Sequence, residues 1–265
     1  MSALLEVKNL SVAFSTPAGT TQVLRQVDLS LKAGETLAVV GPSGCGKSTL
    51  CKSILRLLPK NAHTSGQVML AGEDLIQKSE KELCRLRGRA IGLVFQDPMT
   101  ALNPSRTMGS QLAEAVRAHG PRLSRPALGA RVEELLALVG IEHPKERARL
   151  YPHHFSGGMR QRVVLAMALA GGPQILLADE PTSALDVTTQ AQILELLKNF
   201  QRRQGLAMVL VTHDWGVVAR VADRVAVMEA GKIIQCGTAE EIFRALPPAA
   251  FSPEFVYCKH ISKAV

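Results

Sequence analysis

Eight consecutive residues, Gly41-Pro42-Ser43-Gly44-Cys45-Gly46-Lys47-Ser48, restrict this chain more than any other stretch, because they spell the GxxxxGK[ST] pattern of a phosphate-binding loop. Such a loop works only between a strand and a helix, and both flanks comply. Thr36–Val40 is a short aliphatic run, and Ser48 to Leu58 is amphipathic. The glycines at 41, 44 and 46 let the backbone turn tightly and aim successive N–H groups inward, while a helix starting near Lys47 adds its positive end. This nest suits a polyphosphate. Lys47 would reach the β- and γ-phosphate oxygens, the Ser48 hydroxyl would hold Mg²⁺, and Thr49 would extend the cradle formed with Pro42, Ser43 and Cys45.

A second constellation lies far downstream. Ile175-Leu176-Leu177-Ala178 reads as a buried strand that ends in two carboxylates, Asp179 and Glu180. At the strand end Asp179 is placed to ligate Mg²⁺, and Glu180 to polarise the water that attacks a γ-phosphate. A glutamate at that point separates a hydrolase from a passive nucleotide switch.

With 265 residues, 46% of them hydrophobic, the chain can bury one or two sizeable cores, and an aromatic content of 4% makes them aliphatic. The formal net charge of +8 is scattered; clusters such as Lys81 to Arg89 and Arg202-Arg203 lack the interleaved aromatics of a nucleic-acid surface. No nucleic-acid partner is expected. No uninterrupted run reaches the roughly 18 apolar residues of a membrane helix, since Gly171-Gly172-Pro173 divides the longest stretch, Val163 to Ala178. Membrane association must then come through partners. The cysteines at 45, 51, 84, 236 and 258 have no metal-ligand spacing and are expected to be reduced thiols. Cys45, near a helix N-terminus, is expected to react with alkylating agents.

Along the chain, Leu4 to Phe14 and Thr21 to Leu31 alternate apolar and polar residues as antiparallel strands do. After Thr36–Val40 and its loop come a hairpin region around Gly66 to Glu73 and a strand at Ile91 to Phe95. From Asp97 to Leu165 the pattern turns helical, including Arg131 to Val139. Alternation then returns, with a helix at Thr188 to Arg203, strands at Ala207–Thr212, Arg224 to Met228 and Lys232 to Cys236, and a helix at Trp215 to Ala222. The fold class is α/β, with one discontinuous nucleotide-binding core interrupted by helices.

Between the two nucleotide motifs stands Phe155-Ser156-Gly157-Gly158-Met159, and with it the chain resembles, over nearly its whole length, the nucleotide-binding subunit of ABC transporters, whose signature motif is LSGGQ-like. Ser156 is a natural N-cap for the apolar helix that follows, leaving N–H groups open to an anion. The resemblance implies an ABC-type P-loop domain: a RecA-like core with an antiparallel β flank in 1–96, an α-helical signature subdomain in 97–165, the rest of the core in 166–246 and a short tail in 247–265. It also implies a head-to-tail dimer in which Ser156, Gly157 and Gly158 of one subunit close over the ATP of the other. Gln96 matches the Q-loop, touching Mg²⁺ or the attacking water; Ser183-Ala184-Leu185-Asp186 matches the D-loop, with Asp186 at the dimer interface. His213 matches the switch histidine, and Phe14 the aromatic that stacks on adenine.

Finer matches point to the dipeptide/oligopeptide/nickel importer branch, notably Phe95-Gln96-Asp97-Pro98-Met99-Thr100-Ala101-Leu102-Asn103-Pro104 and Tyr151-Pro152-His153-His154 ahead of the signature. The short C-terminus resembles the nickel-type subunit more than the long peptide type. The expected activity is therefore ATP hydrolysis coupled to uptake of nickel or a nickel chelate, with dipeptide or oligopeptide import as the alternative. The expected partners are transmembrane permease subunits, a second ATP-binding subunit and an extracytoplasmic solute-binding protein, at the cytoplasmic face of the membrane. A nucleic-acid-associated ATPase of this fold would carry long coiled coils or two cores, and a silent nucleotide-binding partner would not need Glu180 and His213.

Overall fold

The computed structural model describes residues 3 to 245 apart from positions 18, 96 and 184, so Gln96, Ala184, Cys258 and the tail 247–265 lie outside the described residues. In chain order the strands are β1 (Leu5–Thr16), β2 (Gly19–Leu31), β3 (Thr36–Val40), β4 (Ala62–Leu70), β5 (Glu73–Asp74), β6 (Ile91–Val94), β7 (Ile175–Asp179), β8 (Ala207–Thr212), β9 (Arg224–Glu229) and β10 (Lys232–Thr238). The helices are α1 (Lys47–Ile54), α2 (Glu80–Leu86), α3 (Pro98–Ala101), α4 (Met108–His119), α5 (Arg125–Leu138), α6 (Pro144–Arg147), α7 (Gly157–Leu169), α8 (Val187–Gln204), α9 (Trp215–Val221) and α10 (Ala239–Ala245). They form two compact units, one from 1–78 and 207–265, the other from 79–206.

In the first unit, β1 pairs antiparallel with β2 and with β4, giving the order β2-β1-β4-β5. One face of the alternating pattern is buried: Leu5, Val7, Leu10 and Val12 on β1, and Leu24, Val27, Leu29 and Leu31 on β2. A register shift between Val7 and Leu10 keeps both halves of β1 facing the core. The other strands read differently. Every residue of β3 and β8 is buried, because β3 lies between β8 and β9 in parallel and is covered on both faces. Against β3 and β9 pack Val218 of α9 and Ile242 of α10, with Trp215 and Phe243 meeting edge to face at 5.7 Å. The helix expected to run to Leu58 ends at Ile54, where Arg56 turns left-handed (φ 51°).

In the second unit, β6 and β7 run parallel, with α3, α4 and α5 packed on α7. Met108, Leu112 and Val116 of α4 meet the apolar faces of α5 and α7, all fully buried or nearly so. Arg162 of α7 donates to the Val139 carbonyl at 2.8 Å, satisfying an acceptor at the end of α5. The helix expected from Arg131 begins at Arg125, since Pro126 falls in its first turn, where a proline costs no hydrogen bond.

Candidate active site

The phosphate loop leaves the buried end of β3 and enters α1 at Lys47. Gly41 is required by contact: a Cβ there would lie 2.1 Å from the Met228 carbonyl oxygen. At the entry to α1, Gly46 is the N-cap, no side chain caps the helix and its first turn has no acidic residue. Its orphan N–H groups and positive end are thus open to an anion. Lys47 is 6% exposed and folds back over the loop, its Nζ donating to the carbonyls of Gly41 at 2.7 Å and Pro42 at 3.0 Å. A phosphate would take these donor hydrogens over. Cys45 is 6% exposed, with Sγ 4.0 Å from Lys47 Nζ and its carbonyl accepting from Gly231 N–H at 3.0 Å. That burial opposes the alkylation expected from its position alone.

His213 belongs to the same edge. Val40 and Thr212 are partners in the β3–β8 register, so the loop and His213 leave adjacent parallel strands at one level. His213 is exposed in a bend, and the following Asp214 fixes that bend by capping α9, its Oδ1 accepting from Gly216 N at 2.7 Å and Val217 N at 3.3 Å. Residue-by-residue reading passed over Asp214; the signal was an acidic residue directly before an apolar helix. Phe14 is half-buried near the end of β1, opposite Thr21 and Ala62.

In the second unit, Asp179 ends β7 with only 5% exposure, and Glu180 follows in a left-handed backbone conformation (φ 47°). The Glu180 carbonyl accepts from Ser183 N and Oγ at 3.3 and 3.2 Å, which turns the chain sharply after the strand. Ser156 is the N-cap of α7 as expected, its Oγ accepting from Met159 N at 3.3 Å. Asp186 is the N-cap of α8, accepting from Thr189 N at 2.9 Å and Thr189 Oγ1 at 2.7 Å. These bonds, from the hydroxyl and then the amide, hold its carboxyl below the usual aspartate range. The two helix starts touch. A Cβ on Gly158 would lie 2.2 Å from Thr189 Cγ2, so the signature turn seats on the residue that Asp186 caps in the first turn of α8. No local pattern announces Thr189, which is thirty-one residues away in sequence.

A family model described as ABC transporter matches residues 24–183. The chain belongs to the ABC transporter family. This ABC protein is an ATPase of that fold, and its relatives agree over most of its length. It is 51% identical over its whole length to the dipeptide transport ATP-binding protein DppD of Bacillus subtilis, covering 77% of that protein. It is also 51% identical, over 92% of its length, to the oligopeptide transport ATP-binding protein OppD of the same organism, covering 68% of it. Among solved structures, it superposes on a dimeric post-hydrolysis state of the ATP-binding cassette MJ0796 bound to ADP and Pi with a TM-score of 0.79 and 31% identity, covering 89% of this chain and 98% of that one. These relatives carry peptide names, which favours the peptide alternative over nickel.

Proposed function

We propose that this ABC ATPase powers the import of dipeptides or oligopeptides. Supporting this is the 51% identity to DppD and OppD, proteins named for dipeptide and oligopeptide transport. The reading includes permease subunits, a second ATP-binding subunit, a solute-binding protein and a peripheral position at the cytoplasmic face of the membrane. Among the described residues no helix is long and apolar enough to cross a membrane. The segment 97–165 is the inserted signature subdomain of a core made by 1–96 and 166–246.

In the proposed mechanism Lys47 exchanges its carbonyl partners for β- and γ-phosphate oxygens, and the N–H groups of Gly44 to Thr49 surround them. Phe14 stacks on adenine. Magnesium, a hard cation that takes oxygen ligands, fits the donors present: the hydroxyl of Ser48, the carboxylate of Asp179 at its strand end and the amide of Gln96. When bound it would neutralise phosphate charge. Glu180 orients and polarises the attacking water, and His213 donates to the γ-phosphate. Ser156, Gly157 and Gly158 of one subunit offer the open start of α7 to the nucleotide of the other, with Asp186 at the interface.

Reconstitution with permease and solute-binding protein tests the solute. Short peptides should stimulate ATP hydrolysis severalfold over the basal rate; stimulation by nickel with none by peptides would overturn the peptide reading.

A further inference from the structure

One cavity in the second unit shares Gly157 with the signature turn and is otherwise lined by residues given no role in the nucleotide chemistry described above. It measures about 160 Å³ and lies where the first turns of α3 and α7 meet the segment 181–185. Its wall is mostly apolar, with Pro98 and Met99 from α3 and Pro181 and Leu185 from the segment after β7. Gln161, in the second turn of α7, lines the same cavity and is 2% exposed, yet its Nε2 has no hydrogen-bond partner. Buried amide donors are seldom left so, because the desolvation cost of the N–H is then not offset. A void alone would mark loose packing, and an orphan donor alone would mark local strain. Together in one place they describe a complementary molecule with an apolar body and one acceptor.

Charge further narrows the ligand. Asp97 and Arg160 line the cavity as one anion and one cation. Both are engaged: Asp97 Oδ1 accepts from Met99 N at 2.8 Å, and Arg160 donates Nε to the Pro152 carbonyl at 2.8 Å and Nη1 to Met99 Sδ at 3.2 Å. Opposite charges in one wall largely cancel the field an ion would need. We propose that this cavity binds a small neutral molecule that presents a carbonyl-type oxygen to Gln161 Nε2 and an apolar ring to Met99, Pro181 and Leu185. The last torsion of a glutamine is soft, so the amide turns to meet the oxygen without moving α7. The occupant spans from Gly157, at the start of α7, to Ser183, three residues past Glu180. It therefore resists relative movement of these two segments and slows hydrolysis. That effect on rate rests on the function proposed above, whereas binding does not.

The test uses the full chain, labelled with ¹⁵N and titrated with N-methylcaprolactam, an apolar ring with one carbonyl acceptor and no N–H. Saturable shifts are expected in the Gln161 side-chain amide and in the backbone signals of Gly157 and Leu185, with a Kd on the order of 1 mM for so small a probe. Gln161→Met keeps the shape and removes the donor, and should weaken binding at least about tenfold. Met99→Trp fills the cavity with Gln161 intact, and should abolish saturation. Absence of saturable shifts, or wild-type affinity in either variant, would overturn the site. Saturable binding at Gln161 that leaves ATP turnover unchanged would uphold the site and remove the role given to these segments in hydrolysis.

Discussion

Replacing Gly158 by alanine should destabilise the protein through one identifiable neighbour. The added Cβ would sit 2.2 Å from Thr189 Cγ2, well inside the roughly 3.5 Å at which two carbons first attract. Thr189 cannot simply swing away, because its Oγ1 and N both donate to Asp186 and hold the start of α8. The clash must then be relieved by shifting the two helix starts, an overpacking cost of about 1–3 kcal/mol. Against this stands the usual gain of about 0.5–1 kcal/mol for alanine over glycine in a helix. At the middle of both ranges the net loss is about 1 kcal/mol, which for a chain of this size lowers the melting temperature by roughly 2–4 °C. Thr189→Ser removes Cγ2 and keeps the hydroxyl on Asp186. In that background Gly158→Ala should be neutral or slightly stabilising. Thermal melts of the wild type, both single variants and the double variant give the coupling directly. Equal losses from Gly158→Ala in both backgrounds would show that Thr189 is not what excludes a side chain there.

Two other outcomes are expected. Glu180→Gln should reduce ATP turnover by about 10²-fold or more while leaving ATP binding intact, as read by hydrolysis beside nucleotide titration; undiminished turnover would take the water-polarising role from Glu180. His119, at the end of α4, has its pKa lowered by burial first and by the nearby Arg89 charge second, against a backbone hydrogen bond involving Arg87, and its Nδ1 is buried without a partner. The folded state thus favours neutral imidazole. Its contribution to stability is complete above the ordinary value near 6.5 and is lost as pH falls from there through the lower folded value. Urea midpoints between about pH 7 and 5 should therefore fall less steeply in His119→Gln than in the wild type, and parallel curves would refute the assignment.

The sequence spoke clearly where chemistry and structure use the same few residues. The stretch from Thr36 to Ser48 announces a buried strand, a glycine-rich turn and a helix start at once, and Ser156 before an apolar run announces a cap; both stand in the fold as read. Local sequence misled where backbone geometry or a distant neighbour decides. Pro126 resembles a break yet sits inside the first turn of α5, and the left-handed Arg56 stops α1 despite helix-forming residues beyond it. No periodicity within Ala207–Thr212 or Arg224–Glu229 says that these strands flank Thr36–Val40. That placement comes from burial: β3 and β8 are buried at every position and β9 at Val225, Ala226 and Met228, and such strands are most stable side by side. Gln161 and Thr189 were illegible for the same reason, since their roles exist only once the starts of α7 and α8 and the segment 181–185 are brought together.

The phosphate loop also shows why ATP binding should change this protein rather than merely fill it. Lys47 is already committed, with its ammonium tied to two carbonyls of its own loop at 2.7 and 3.0 Å. In the proposed mechanism phosphate must therefore exchange partners with Gly41 and Pro42 instead of meeting a free cation, and the net gain is the difference between a charge-assisted bond to phosphate and one to a neutral carbonyl. The exchange releases the carbonyl of Gly41, which directly follows β3, the strand in register with the one that ends beside His213. Nucleotide affinity is thereby linked to the conformation of the loop, and the linkage is reciprocal. Anything that tightens Lys47 on its own carbonyls weakens ATP, and ATP, by drawing Lys47 away, frees the loop to follow the γ-phosphate.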